Sequence, residues 1–113
     1  MMNFTHEIIN DFHIFKVTGS LDIYTAVDLK SSIEEAIKDP HSKLAVHMQN
    51  IKYIDSSGIG ALIKLYNYMK NLNGVFYLVE VPAPQEKVFK VSGLLNYFKF
   101  LSEKDFAALI GSA

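Results

Sequence analysis

At 113 residues the chain fits one domain, spanning 1–113, around one core, and half of it is hydrophobic. Its 11 basic and 12 acidic residues leave a formal net charge of −1, so nothing draws in nucleic acid directly and no block of like charge forms a tail. The absence of cysteine excludes a disulfide framework or thiolate metal site and fits a reducing, cytoplasmic setting, and no run approaches the roughly 20 apolar residues of a membrane span.

In chain order, Asn10-Asp11 separates two predicted strands. The second, Phe12–Val17, alternates over part of its length and ends at Gly19. Gly19-Ser20-Leu21-Asp22 then reads as a turn-like link. Thr25 and Asp28 have capping-box spacing, which predicts a helix from Thr25 with Ala26, Leu29, Ile33, Ala36 and Ile37 on its apolar stripe. Asp39-Pro40 ends it, because the residue before proline is pushed out of helical geometry.

Leu44-Ala45-Val46-His47-Met48 lacks strict alternation and suits a strand covered on both faces. After Asp55–Gly60, a second helix places Ile59, Leu62, Ile63, Tyr66 and Met69 on one face. Asn73-Gly74 supplies its stop. Val75–Val79 is a buried strand, and Pro82-Ala83-Pro84 opens a short helix that ends before Gly93. Tyr97–Phe100 is a short final strand. Ser102 and Asp105 then have capping-box spacing, with Leu101 and Phe106 as a hydrophobic staple, for a last helix that stops at Gly111.

Strands alternating with helices of this length predict an α/β fold. The expected sheet is mixed, mostly parallel, with about five strands and about four helices. In such sheets the functional surface lies beyond the carboxyl ends of the strands. Two loops there carry acids and hydroxyls: Ser20 to Thr25, and Asp55-Ser56-Ser57-Gly58-Ile59-Gly60. The second falls on a strand-to-helix turn, where unpaired amides and the aligned peptide dipoles favour an anion. Helix capping by the serines and close packing at the glycines is the plainer reading of the same residues.

The other chemistry-bearing residues form no constellation. The histidines at 6, 13, 41 and 47 have no metal-ligand spacing. The residue two before Ser57 is Asp55 rather than the glycine of a nucleophile elbow, and no base can be tied to either serine. Gly58-Ile59-Gly60 lacks the further glycine and the Lys-Ser/Thr ending of a nucleotide loop. An enzyme is therefore not expected, nor a cofactor or a metal.

With these residues in place, the chain resembles the anti-sigma factor antagonists, small bacterial proteins of the STAS-domain family. Gly19-Ser20-Leu21-Asp22-Ile23-Tyr24-Thr25-Ala26 is similar to the family's first loop and helix start. Ile51-Lys52-Tyr53-Ile54-Asp55-Ser56-Ser57-Gly58-Ile59-Gly60 is similar to its phosphorylation loop, and Val91-Ser92-Gly93-Leu94 also fits. The resemblance implies binding to an anti-sigma factor that is also a serine kinase, which frees a sigma factor. It implies phosphorylation at Ser56 and reversal by a serine phosphatase. Ser57 maps to the second hydroxyl and Asp22 to an acidic residue that helps recognise the kinase. The implied partner-binding set is Asp22, Tyr24, Thr25, Asp55, Ser56, Ser57, Gly58 and Ile59. One departure is His47, where the family usually carries Asp or Asn, which implies a changed local charge near the loop and a changed choice of partner. A non-switching STAS module of a transporter complex or stressosome-like assembly is the alternative.

Overall fold

In the computed structural model, which describes residues 2–111, the expected α/β architecture is present. Strands β1 (Met2–Ile9) and β2 (Phe12–Leu21) precede helix α1 (Thr25–Ala36). Then follow β3 (Lys43–Ile54), α2 (Ser56–Asn71), β4 (Val75–Val79), α3 (Ala83–Val91), β5 (Lys99–Leu101) and α4 (Glu103–Gly111). Asn10 and Asp11 both take left-handed geometry, at φ 48° and 69°, as a tight two-residue hairpin requires. β1 therefore pairs antiparallel with β2, from Met2 opposite Gly19 to Ile9 opposite Phe12.

Every later pairing is parallel, and the strand order is β1-β2-β3-β4-β5. Three right-handed crossovers that step the same way across a sheet leave their helices on one face. There Leu29, Ile33, Leu62, Leu65 and Phe89 close over Phe15, Val17, Leu44, Val46 and Met48. α4 covers the opposite face, where Phe106 packs with Phe12, Ile14, Ala45 and Val79. β3 is thus buried on both sides, which explains why its first half does not alternate.

Several boundaries differ from the sequence expectation. β2 does not end at Gly19. That residue has φ 100°, and the register with β3 shifts between Gly19 and Ser20, so a bulge bends the strand and lets it continue to Leu21. β3 runs on to Ile54, although β4 accompanies it only as far as His47. Along its further edge Gln85 of α3 donates from Nε2 to the Lys52 carbonyl at 3.1 Å. β5 begins at Lys99 rather than Tyr97, because Phe98 turns inward, edge-on to Phe76 and Phe89. At the end of α2 the left-handed residue is Asn73, at φ 55°, not Gly74. Gly74 instead closes the turn by donating to the Met69 carbonyl, and a β-carbon on it would stand 2.3 Å from the Ser42 carbonyl oxygen. Among the described residues no helix is long and apolar enough to cross a membrane.

Candidate functional site

The two loops singled out from sequence lie side by side because their strands do. Leu21 is paired with Ile54 at the carboxyl ends of β2 and β3. The Asp55 N–H donates across to the Leu21 carbonyl at 3.3 Å. Gly58 comes so close that a β-carbon there would stand 2.4 Å from the same oxygen. Gly58 therefore lets α2 start against β2. Gly60 has no such role, since a β-carbon there meets nothing within 4 Å.

Asp55 caps α2. Its Oδ1 accepts the N–H groups of Ser57 and Gly58 at 3.0 and 3.1 Å. Ser56 is the first helical residue and is exposed, whereas Ser57 is half-buried. The cap is supplied by the aspartate, not by a serine. This changes the picture of an anion-friendly helix end: two of its amides are already occupied by a carboxylate, so a group added to Ser56 meets Asp55 beside it.

Asp22 organises the neighbouring turn in the same manner. Its Oδ1 accepts the N–H groups of Tyr24 and Thr25 at 2.9 and 3.1 Å. Thr25 Oγ1 accepts the Asp22 N–H at 2.9 Å and donates to the Ser20 carbonyl at 2.7 Å. The reciprocal cap is therefore Asp22 with Thr25, one turn earlier than the expected Thr25–Asp28 box, because the bulged end of β2 draws the threonine hydroxyl back. The bond from the Thr25 amide, the largest influence, outweighs the opposing effect of burial with help from the Tyr24 amide and the Thr25 hydroxyl, and holds the Asp22 carboxyl below the ordinary carboxylate range.

Between α1 and α2 runs a groove of about 300 Å³, lined by Ile23, Val27 and Lys30 on one side and Ser57, Gly60 and Lys64 on the other. Tyr24 is 83% exposed, and Ile23 and Val27 about as open as each other at 60% and 62%. These apolar side chains stand beside Asp22 and the start of α2, and none of the described residues covers them. Ile23 and Val27 were not singled out from sequence. The signal was present, because Val27 falls off the Ala26-Leu29-Ile33 stripe onto the outer face of α1. Of the eight residues marked for partner contact, Asp22, Tyr24, Thr25, Asp55, Ser56 and Ser57 reach the surface to differing degrees. Gly58 and Ile59 are buried beneath them and shape the surface from within.

His47 stands apart. It faces α4, with Nε2 buried, 3.4 Å from Glu103 Oε2 and, among the described residues, without a hydrogen bond. About 26 Å of extended strand separates it from Asp55, so it does not set the charge of the loop. Among the described residues no three of His, Cys, Asp and Glu gather as a metal site.

A family model described as "STAS domain" matches residues 3–107. An anti-sigma-B factor antagonist of Staphylococcus aureus is 26% identical over 83 residues, covering 74% of this chain and 77% of that protein. Its counterpart in Staphylococcus epidermidis is 27% identical over 95 residues, 82% of this chain and 88% of that one. Among solved structures, an anti-sigma factor antagonist from Mycobacterium paratuberculosis has a TM-score of 0.81 at 19% identity, covering 97% of this chain and 94% of that chain. The anti-sigma factor antagonist SpoIIAA in its unphosphorylated form has a TM-score of 0.77 at 18% identity, with 98% of each chain covered. The phosphorylated form of the Bacillus protein scores 0.70 at 18% identity, over 96% of this chain and 99% of that one. At such identities the structural likenesses speak for the fold alone.

Proposed function

This chain belongs to the STAS domain family, and from that premise we propose that it is an anti-sigma factor antagonist switched off by phosphate on Ser56. The observation that carries the reading is the exposed first residue of α2, Ser56, followed directly by Ser57, which lines one groove with the exposed Ile23 and Val27. The named relatives are anti-sigma-B factor antagonists, and one structural neighbour of the same fold is in a phosphorylated form.

In the unmodified state an anti-sigma factor with serine kinase activity docks over the two loops. Asp22 and Asp55 have their carboxylates committed to backbone amides, so the loops meet the partner already ordered and little entropy is lost there. Phosphate on Ser56 adds about −1.5 to −2 charges next to Asp55. Water tolerates this on the free protein. Beneath a docked partner the added dianion is desolvated without a counter-charge, for which ~3 kcal/mol of lost affinity, over a hundredfold, is the scale. A serine phosphatase restores binding. The switch acts at the interface and requires no refolding.

The test is phosphate transfer from the cognate anti-sigma factor kinase and ATP, read by mass spectrometry, together with binding to that kinase. Ser56→Ala should take up no phosphate and still bind, whereas Ser56→Asp should bind at least tenfold more weakly. Uptake by Ser56→Ala at the wild-type rate would show that the site is elsewhere.

A further inference from the structure

β1 is an eight-residue strand at the edge of the sheet, paired with β2 alone. An edge of that length presents a row of backbone donors and acceptors to whatever strand comes beside it. Glu7 apart, the usual protections are missing among the described residues. Met2–Ile9 contains neither lysine nor proline, and its pairing with β2 runs without a register shift. The opposite edge, β5, has only three residues. Ile8 and Ile9, at the end of β1, are 60% and 39% exposed. We propose that β1 pairs antiparallel with β1 of a second copy of this chain, about a two-fold axis through His6, giving a continuous ten-stranded sheet.

The choice of a second copy rests on self-complementarity. Phe4 and His6 both lie against Phe15, so Phe4, His6 and Ile8 share the face of α1–α3. Glu7 and Ile9 line a cavity with Phe106 on the α4 face. A two-fold axis normal to the sheet keeps like faces together, so even-numbered residues oppose even and odd oppose odd. With the axis at His6, each Phe4 stands opposite Ile8 of the other copy, an aromatic–aliphatic pair of the kind that stabilises sheets. Asn3 then opposes Ile9, and Thr5 opposes Glu7.

Neighbouring registers are worse. An axis at Thr5 leaves Ile9 without a partner in the strand. An axis at Glu7, the only charged residue of β1, sets two carboxylates directly opposite each other, which is destabilising. The interface is isologous, as dimers commonly are. It places the two Asp55–Ser56 turns at opposite ends of the joined sheet, so both stay open, and it does not depend on the function proposed for them.

The chain has no cysteine, which allows the register to be read by cross-linking. Directly opposed residues of an antiparallel pair have Cα separations of about 4.5–5.5 Å, within disulfide reach. Under a glutathione redox buffer, His6→Cys should form a disulfide dimer, and a mixture of Thr5→Cys with Glu7→Cys should form the heterodimer in preference to either homodimer. The mixture relies only on exposed positions, so it remains informative if His6→Cys is poorly folded. Sedimentation of the wild-type chain should show a monomer–dimer equilibrium, and Ile8→Lys should weaken it at least tenfold with an unchanged circular dichroism spectrum. A chain that stays monomeric at all concentrations, leaving the edge to another protein's strand, would overturn the proposal. So would cross-linking without preference among the three positions, or a dimer indifferent to Ile8→Lys.

Discussion

The carbonyl oxygen of Leu21 sits where a β-carbon of residue 58 would have to be, 2.4 Å from its ideal position. That contact joins the end of β2 to the first turn of α2, and it is possible only with glycine. Gly58→Ala must push the helix start away from a backbone atom that cannot yield, so a loss of about 1–3 kcal/mol is expected. Gly60, two residues on, faces open space. Gly60→Ala should instead gain up to about 1 kcal/mol from helix propensity. Urea unfolding of the two variants should move the midpoint in opposite directions, and a shift in the same direction would contradict the packing described.

The cap at Asp55 makes a separate prediction. Asp55→Ala leaves the amides of Ser57 and Gly58 without their acceptor, and the expected cost is about 0.5–2 kcal/mol. Asp55→Asn keeps an acceptor oxygen and should lose less. Hydrogen exchange of those two amides is the direct reading: it should accelerate in the alanine variant more than in the asparagine variant.

Element order, sheet class and the two strand-to-helix loops that the sheet brings together were legible in the residues, because strand and helix periodicities differ and proline, asparagine and glycine punctuate them. What was not legible depends on contacts between distant segments. Glycine at 19 marks a stop in isolation, but β3 alongside turns it into a bulge within β2. Thr25 and Asp28 satisfy a local capping pattern, yet the threonine hydroxyl is claimed by Ser20 and Asp22. The serines are natural cap candidates for α2 by residue type, yet in the fold the aspartate takes both amides. Ile23 and Val27 carried a weak periodicity signal, and sequence cannot tell an outward apolar residue from one awaiting another layer.

Gln85 tests how the approach to the site is supported. Its side chain is buried and donates to the Lys52 carbonyl, on the stretch of β3 that β4 does not reach. Gln85→Leu preserves size but strands that carbonyl beneath α3, for a loss of about 1–3 kcal/mol. Exchange of the amides around Lys52 and Tyr53 should quicken in this variant. Unchanged protection there would mean that α3 does not hold the strand.

Two groups should make the fold acid-sensitive in separate windows. Burial first, and the adjacent His6 second, push the His13 imidazole below its ordinary value, with Asp39 opposing. Bonds from the Thr25 and Tyr24 amides hold the Asp22 carboxyl down. In both cases the folded state gives up its proton more readily than the unfolded state. Each stabilising contribution is therefore complete above the unfolded value and is lost as the pH falls through the folded one. The histidine contribution should decline below about 6.5 and the aspartate contribution below about 3.9. Unfolding free energy measured against pH should show both declines in the wild-type chain. His13→Gln should flatten the first and leave the second, and Asp22→Asn should do the reverse. A His13→Gln curve parallel to wild type between about pH 7 and 5 would mean that the histidine pair on β1 and β2 does not govern stability in that range.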